Sequence, residues 1–147
     1  MARTSEGGAI VSEVPLSRRP SEFVWKPQPA LSKGAEFAVL LGNLSAPGRY
    51  VFRLRVPEGH RALPHTHPDE RIYTVLSGTF WIGWGEEFDE GSLEEYPEGS
   101  VILVRAGRHH YQAARNGGYV VQVEGEGPTA VDYVRASDDP RVAPKSG

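Results

Sequence analysis

The chain never runs far without a residue that turns it. It holds 17 glycines and 12 prolines in 147 residues, and the runs between them are short and rich in β-branched and aromatic side chains. Such punctuation suits many short strands, and no helix-period stretch is long enough to stand alone. The clearest run is Arg49 to Val56. Tyr50, Phe52, Leu54 and Val56 point one way and Arg49, Arg53 and Arg55 the other, which is the two-residue period of a half-buried strand. Further strands are expected at Glu22 to Trp25 (an edge strand stopped by prolines), Ala35 to Leu41, Ser100 to Val104, His110 to Ala114, Tyr119 to Glu124 and Ala130 to Arg135. Between Ile72 and Trp84, Ser77-Gly78 reads as the turn of a hairpin. Many short strands at regular intervals mean a sandwich or barrel.

Bulk composition narrows the rest. The length is that of one domain with a self-sufficient core. We expect a flexible N-terminal arm over residues 1–20, a barrel domain over 21–136 and a polar tail over 137–147. A formal charge of -3 supplies no basic surface for nucleic acid, and no Lys/Arg run supports a membrane patch. The lack of cysteine rules out disulfides, thiol catalysis and thiolate ligands. Nothing approaches the roughly 20 apolar residues of a membrane span, and Met1 to Val14 has no apolar leader core, so a soluble, cytoplasmic protein is expected. The carboxylate-rich run from Glu86 to Glu95 reads as a solvated loop.

Chemistry concentrates between Gly59 and Gly78, GHRALPHTHPDERIYTVLSG. Residues two apart on a strand share a face, so His65 and His67 present two imidazoles side by side. A third is offered by the RAGRHH segment, where His110 has the parity to face inward and His109 faces out. Imidazole is a versatile ligand for first-row divalent metals, and three from neighbouring strands fix one cation. The alternative for any single histidine is a hydrogen-bonded core or surface group. Parity also turns Tyr73 and Val75 inward, together with Gln112 beside His110. Tyr73 is the candidate for donating a proton or hydrogen bond to a ligand. Phe52, Trp81, Trp84 and Phe88 read as core fillers.

These residues resemble the two motifs of the cupin superfamily. Gly59, His65, His67 and Gly78 match the first, and Gly99, Gly107 and His110 the second. The likeness runs from about Phe37 to Pro140, and the runs HPDERIYTVLSGTFWIGWGEEFDE, YPEGS and DYVRASDDPR look like those of small, single-domain bacterial cupins. The resemblance implies an all-β jelly roll (a double-stranded β-helix barrel of two antiparallel sheets), a divalent metal ion (Fe, Mn, Ni, Cu or Zn) on His65, His67 and His110, and a homodimer formed through Phe23 to Trp25 and Phe37 to Leu41.

The sequence departs from the pattern at three places. Arg105 stands where the second motif has proline, and Ala114 where it has asparagine. Counting back from Gly78, the glutamate ligand of the first motif falls on Arg71, with Glu70 one residue earlier. An unbroken strand turns Arg71 toward the histidines; a bulge near Pro68-Asp69 turns Glu70 inward instead. Electrostatics favours the bulge, because a guanidinium beside a dication needs an anion between them. Glu70 inward gives a three-His, one-carboxylate site. Arg71 inward leaves a positive charge suited, with Gln112, to holding substrate. The function implied is a metal-dependent enzyme, oxygenase- or isomerase-like (an oxidoreductase of dioxygenase type), acting on a small organic molecule. The alternative is a non-catalytic module that binds a small molecule or anion.

Overall fold

A computed structural model describes residues 16–142. Positions 1–15 of the expected arm and 143–147 of the expected tail lie outside the described residues. Eleven strands follow in order: β1 (Lys26–Pro27), β2 (Glu36–Leu41), β3 (Gly48–Val56), β4 (Arg61–Thr66), β5 (Arg71–Ser77), β6 (Phe80–Trp84), β7 (Glu94–Tyr96), β8 (Val101–Val104), β9 (His110–Ala113), β10 (Tyr119–Gly127) and β11 (Asp132–Tyr133). Three single turns of 3-10 helix complete the regular structure among the described residues. A six-stranded sheet runs β1-β2-β3-β10-β5-β8 and a five-stranded sheet β11-β4-β9-β6-β7, with antiparallel pairing throughout. This is the jelly roll expected, built as two open sheets face to face.

The alternation of β3 sets the core. Tyr50, Phe52, Leu54 and Val56 are all buried, against Tyr73, Val75, Val121 and Val123 of the same sheet and Phe80 and Ile82 of the other. On the outer face, Arg53 and Arg55 lie 4.9 and 3.9 Å from the rings of Phe23 and Trp25. Those aromatics therefore cap cations instead of forming a strand, and the edge strand expected over Glu22 to Trp25 falls at Lys26–Pro27. Pro27 is tolerated there because an edge strand has a free side. The strand expected over Ala130 to Arg135 shrinks to Asp132–Tyr133.

The expected hairpin at Ser77-Gly78 does not form. β5 pairs with β10 and β8, whereas β6 pairs with β9 and β7, so the turn carries the chain from one sheet to the other. Strand content and turn chemistry look alike in the two cases; only the long-range partners differ. Gly78 has φ +74°, and a Cβ there would lie 2.2 Å from the carbonyl oxygen of Gly118.

One irregularity positions the site. Along the β4–β9 ladder Ala62 pairs with Gln112 and His65 with His110, so three steps on β4 match two on β9. Leu63-Pro64 thus forms a bulge. Ala62 and Pro64 are buried on even parity, and His65 and His67 are buried on odd parity.

Gly78→Ala combines left-handed backbone with a contact against main chain that cannot yield. We expect a loss of about 1–3 kcal/mol, seen as a lower urea midpoint at unchanged m-value.

Candidate metal centre

β4 and β9 are neighbours, and the bulge sets His65 directly opposite His110 with both rings inward. His67 follows where the chain leaves β4. The ring centroids are 4.3 Å apart for His65 and His110, 4.9 Å for His65 and His67, and 5.1 Å for His67 and His110. One ring nitrogen from each lies within 4.8 Å of the other two.

Main-chain carbonyls settle which nitrogens these are. Nδ1 of His65 donates to the carbonyl of Leu63 at 2.6 Å, Nδ1 of His67 to Ala130 at 2.7 Å, and Nδ1 of His110 to Arg108 at 2.9 Å. A carbonyl only accepts, so each Nδ1 carries its proton and each Nε2 lone pair turns toward the shared space. Nε2 of His110 is buried without a hydrogen-bond partner. Burial holds all three rings neutral. It lowers His110 from the ordinary 6.5 to about 4, and takes His65 and His67 well below that ordinary value, with the charges of His110 and Arg71, respectively, as the next cause.

Neutral imidazoles with oriented lone pairs, that of His67 met by the Tyr73 hydroxyl at 3.4 Å and that of His110 by no described residue, fit a divalent cation. Three nitrogens bound tetrahedrally to one ion at about 2.1 Å sit about 3.4 Å apart, so the cluster would tighten around a bound cation. Carbonyl bonds to Nδ1 are the usual support that fixes the orientation of a ligating ring.

Glu70 is not in the cluster. The bulge lies at Leu63-Pro64 and not near Pro68-Asp69. The chain crosses between sheets over residues 67–70 and re-enters as β5 at Arg71, so Arg71, Tyr73 and Val75 face inward while Glu70 is exposed. The Glu70 carboxylate instead meets Arg105 at 3.3 Å on the surface. The expected glutamate ligand is therefore absent from the cluster, which among the described residues holds the three histidines alone.

Arg71 takes the inner position, at 6% exposure. Its Nη1 donates to the Tyr73 hydroxyl at 3.2 Å, and Tyr73 in turn reaches Nε2 of His67 at 3.4 Å. Its Nη2 donates to Oγ1 of Thr129 at 2.9 Å, and Thr129 donates to Asp69 at 2.5 Å. Tyr50 donates to the other oxygen of Asp69, also at 2.5 Å, and its hydroxyl is pushed up to about 12, chiefly by burial. Gly125 makes room for this pair, since a Cβ would lie 2.4 Å from the Tyr50 oxygen. Gln112 is buried on the same strand as His110, but its amide donates to Tyr119 at 3.1 Å. His109 is only half-buried. Trp84 stands beside the cluster, its ring 6.2 Å from that of His110.

Sequence reasoning missed Tyr50, Asp69, Thr129 and the Ala130 carbonyl. Inward parity marks Tyr50, but nothing local marks Thr129 or Ala130, which reach the site only through the connection between β10 and β11. A recess of about 520 Å³ beside His60, Leu63 and Tyr133 is lined by none of the three clustered histidines.

No protein-family model matches the sequence, and neither does any curated protein. Solved structures do match. The polyketide cyclase RemF from Streptomyces resistomycificus superposes with a TM-score of 0.65 at 20% identity, over 90% of this chain and 91% of that one. An RmlC-like cupin from Ralstonia eutropha gives 0.64 at 16%, over 88% and 76%. HppE in its iron(II) form gives 0.60 at 17%, over 80% and 64%. Likeness at this level speaks to the fold, and the fold is that of the cupins. The motif resemblance and the three-dimensional structure agree on it. No helix among the described residues is long and apolar enough to cross a membrane.

Histidines buried neutral make the metal-free protein acid-sensitive. Each folded value lies below 6.5, so the unfolded chain binds more protons between the two values. Stability is complete above pH 6.5 and falls as the pH drops toward about 4, the folded value of His110. Thermal melts of chelator-stripped protein should lose about 1.4 kcal/mol per pH unit for each such histidine in that window. A flat profile there contradicts the neutral, buried cluster.

Proposed function

We propose that the protein is a metal-dependent enzyme of the cupin fold acting on a small organic molecule. The observation that carries this reading is the convergence of three Nε2 lone pairs, each imidazole pinned through Nδ1 by a main-chain carbonyl. Nε2 of His110, buried with no partner among the described residues, is an atom that a cation on the three histidines would satisfy. His65, His67 and His110 hold the cation, which supplies Lewis acidity or redox chemistry when bound.

The chain's other residues bind and orient. Tyr73 is the hydrogen-bond or proton donor at the ligand, because its hydroxyl stands between Arg71 and His67. Arg71 contacts the substrate, as does Gln112, two residues further along β9 than His110. The ligand set of three imidazoles suits iron, manganese, nickel, copper or zinc alike. An oxygenase- or isomerase-like reaction agrees with the range of chemistry that this fold supports. The reading extends to a cytoplasmic homodimer. Among the described residues, β1 covers β2 only at Glu36 and Phe37, and Ala38 to Leu41 then offer an edge where a second copy can add.

A second reading, a non-catalytic module for a small anion, is favoured by the buried guanidinium of Arg71. Elemental analysis separates the two. Protein purified without chelator should carry a first-row metal near one per chain, and His110→Ala should retain less than about a tenth of it while keeping the β-sheet circular dichroism signal. Tyr73→Phe should keep the metal. Wild-type protein without metal, whose melting temperature ignores added metal, supports the binding module instead. For the dimer, analytical ultracentrifugation should give twice the chain mass at micromolar concentration. A monomer there removes that part of the reading.

A further inference from the structure

Charge and hydrogen-bond inventory at the centre specify a ligand class. Three neutral imidazoles contribute no charge, and Arg71 and Asp69 cancel, with Nε of Arg71 3.9 Å from the Asp69 carboxylate. Both Asp69 oxygens are already engaged, by Tyr50 and Thr129. Glu70, the nearest carboxylate in sequence, is outside on Arg105. Among the described residues, a divalent cation on the histidines therefore finds no carboxylate left to balance it, in a site where uncompensated charge is costly.

Arg71 has donors to spare. A guanidinium carries one N–H on Nε and two on each Nη; Arg71 uses one from Nη1 and one from Nη2, and its buried Nε has no hydrogen-bond partner. Such an arrangement is expensive unless something else completes it. Tyr73 points the same way. Its oxygen accepts from Arg71, and its proton faces Nε2 of His67 at 3.4 Å. Once that lone pair is engaged by a cation, the hydroxyl proton is free to turn to a ligand.

We propose that this centre takes a small organic carboxylate as substrate, its anionic end bridging from the cation to Arg71 and Tyr73. The assignment rests on the metal-centre reading above and adds the substrate class. A planar carboxylate matches the guanidinium fork. Its single charge offsets half of a divalent cation's; a phosphate, at nearly two, would balance the ion more fully but at a greater desolvation cost in a buried site.

Cobalt(II) titration of chelator-stripped, full-length protein, followed by its visible absorption, tests this with acetate as the probe. Saturating acetate should tighten cobalt binding to wild type by about tenfold or more, and cobalt should tighten acetate equally. Arg71→Gln should bind cobalt but reduce the acetate effect below about twofold. Arg71→Lys, which keeps the charge and loses the fork, should retain part of it; it also serves should the Gln variant fail to fold, as judged by circular dichroism. Arg71→Glu should bind cobalt more tightly than wild type with acetate making no difference. Cobalt bound by wild type with no acetate effect, or an acetate effect unchanged in both Arg71→Gln and Arg71→Lys, overturns the carboxylate assignment and leaves the metal centre standing. Inorganic phosphate coupling strongly where acetate does not overturns it in favour of a tetrahedral anion. Wild type that binds no cobalt under either condition overturns both readings.

Discussion

The centre depends on a single extra residue in β4. Without the bulge at Leu63-Pro64, the parity that buries Ala62 would carry on to Thr66 and turn both His65 and His67 outward. The bulge is held from both sides. β9 pairs with Ala62 before it and His65 after it, and β11 pairs with Thr66 and Tyr133 with His65. Pro64 has no N–H to offer the ladder, which makes the irregularity cheap at that position. The carbonyl of Leu63 then does a second job by accepting from Nδ1 of His65. The same local distortion thus sets which face the histidine occupies and which of its nitrogens is left free.

Arg71 follows from the crossing that succeeds this strand. β4 and β5 belong to opposite sheets, so the inner face is defined afresh at residue 71 and parity counted through the turn has no physical meaning. That the count nevertheless agrees for Arg71 is a consequence of the length of the crossing. The charge that results is large and buried, and it is tolerated because Asp69, Thr129, Tyr50 and Tyr73 surround it with polar groups. On the proposed reading, a site built in this way would favour an anion and hold a cation more weakly until one arrives, the opposite of a site closed by a carboxylate.

The fold was legible because its signals are local. The alternation of β3, the spacing of glycines and the two histidine clusters each report a strand, a turn or a face without reference to the rest of the chain. What escaped depends on partners distant in sequence. The Ser77-Gly78 turn has hairpin chemistry, yet β5 and β6 are claimed by β8, β10, β7 and β9. Phe23 and Trp25 have strand propensity, yet the guanidinium groups of Arg53 and Arg55 hold them as caps. Electrostatic reasoning favoured Glu70 at the metal and lost to topology, because Arg105 offers that carboxylate an exposed partner while Asp69 and Thr129 meet the arginine inside.

The polar interior has a cost that explains the shell around it. Leaving Nε2 of His110 and Nε of Arg71 without partners costs about 1–3 kcal/mol each, more than a domain of this size spares lightly. The surrounding residues are correspondingly unforgiving: Tyr50, Tyr73, Phe80, Val121 and Val123 are buried almost completely, and Gly125 admits no side chain against the Tyr50–Asp69 pair. Such packing, with the carbonyl bonds to each Nδ1, holds the rings in one orientation. Among the described residues, two of the four buried side-chain nitrogens without partners, on His110 and Arg71, sit at this centre, where a cation and an anion would complete them together; the other two, on His60 and Trp81, lie elsewhere. On the proposed reading, a cation and an anion would together recover the stability given up at the first two atoms, most when both bind at once.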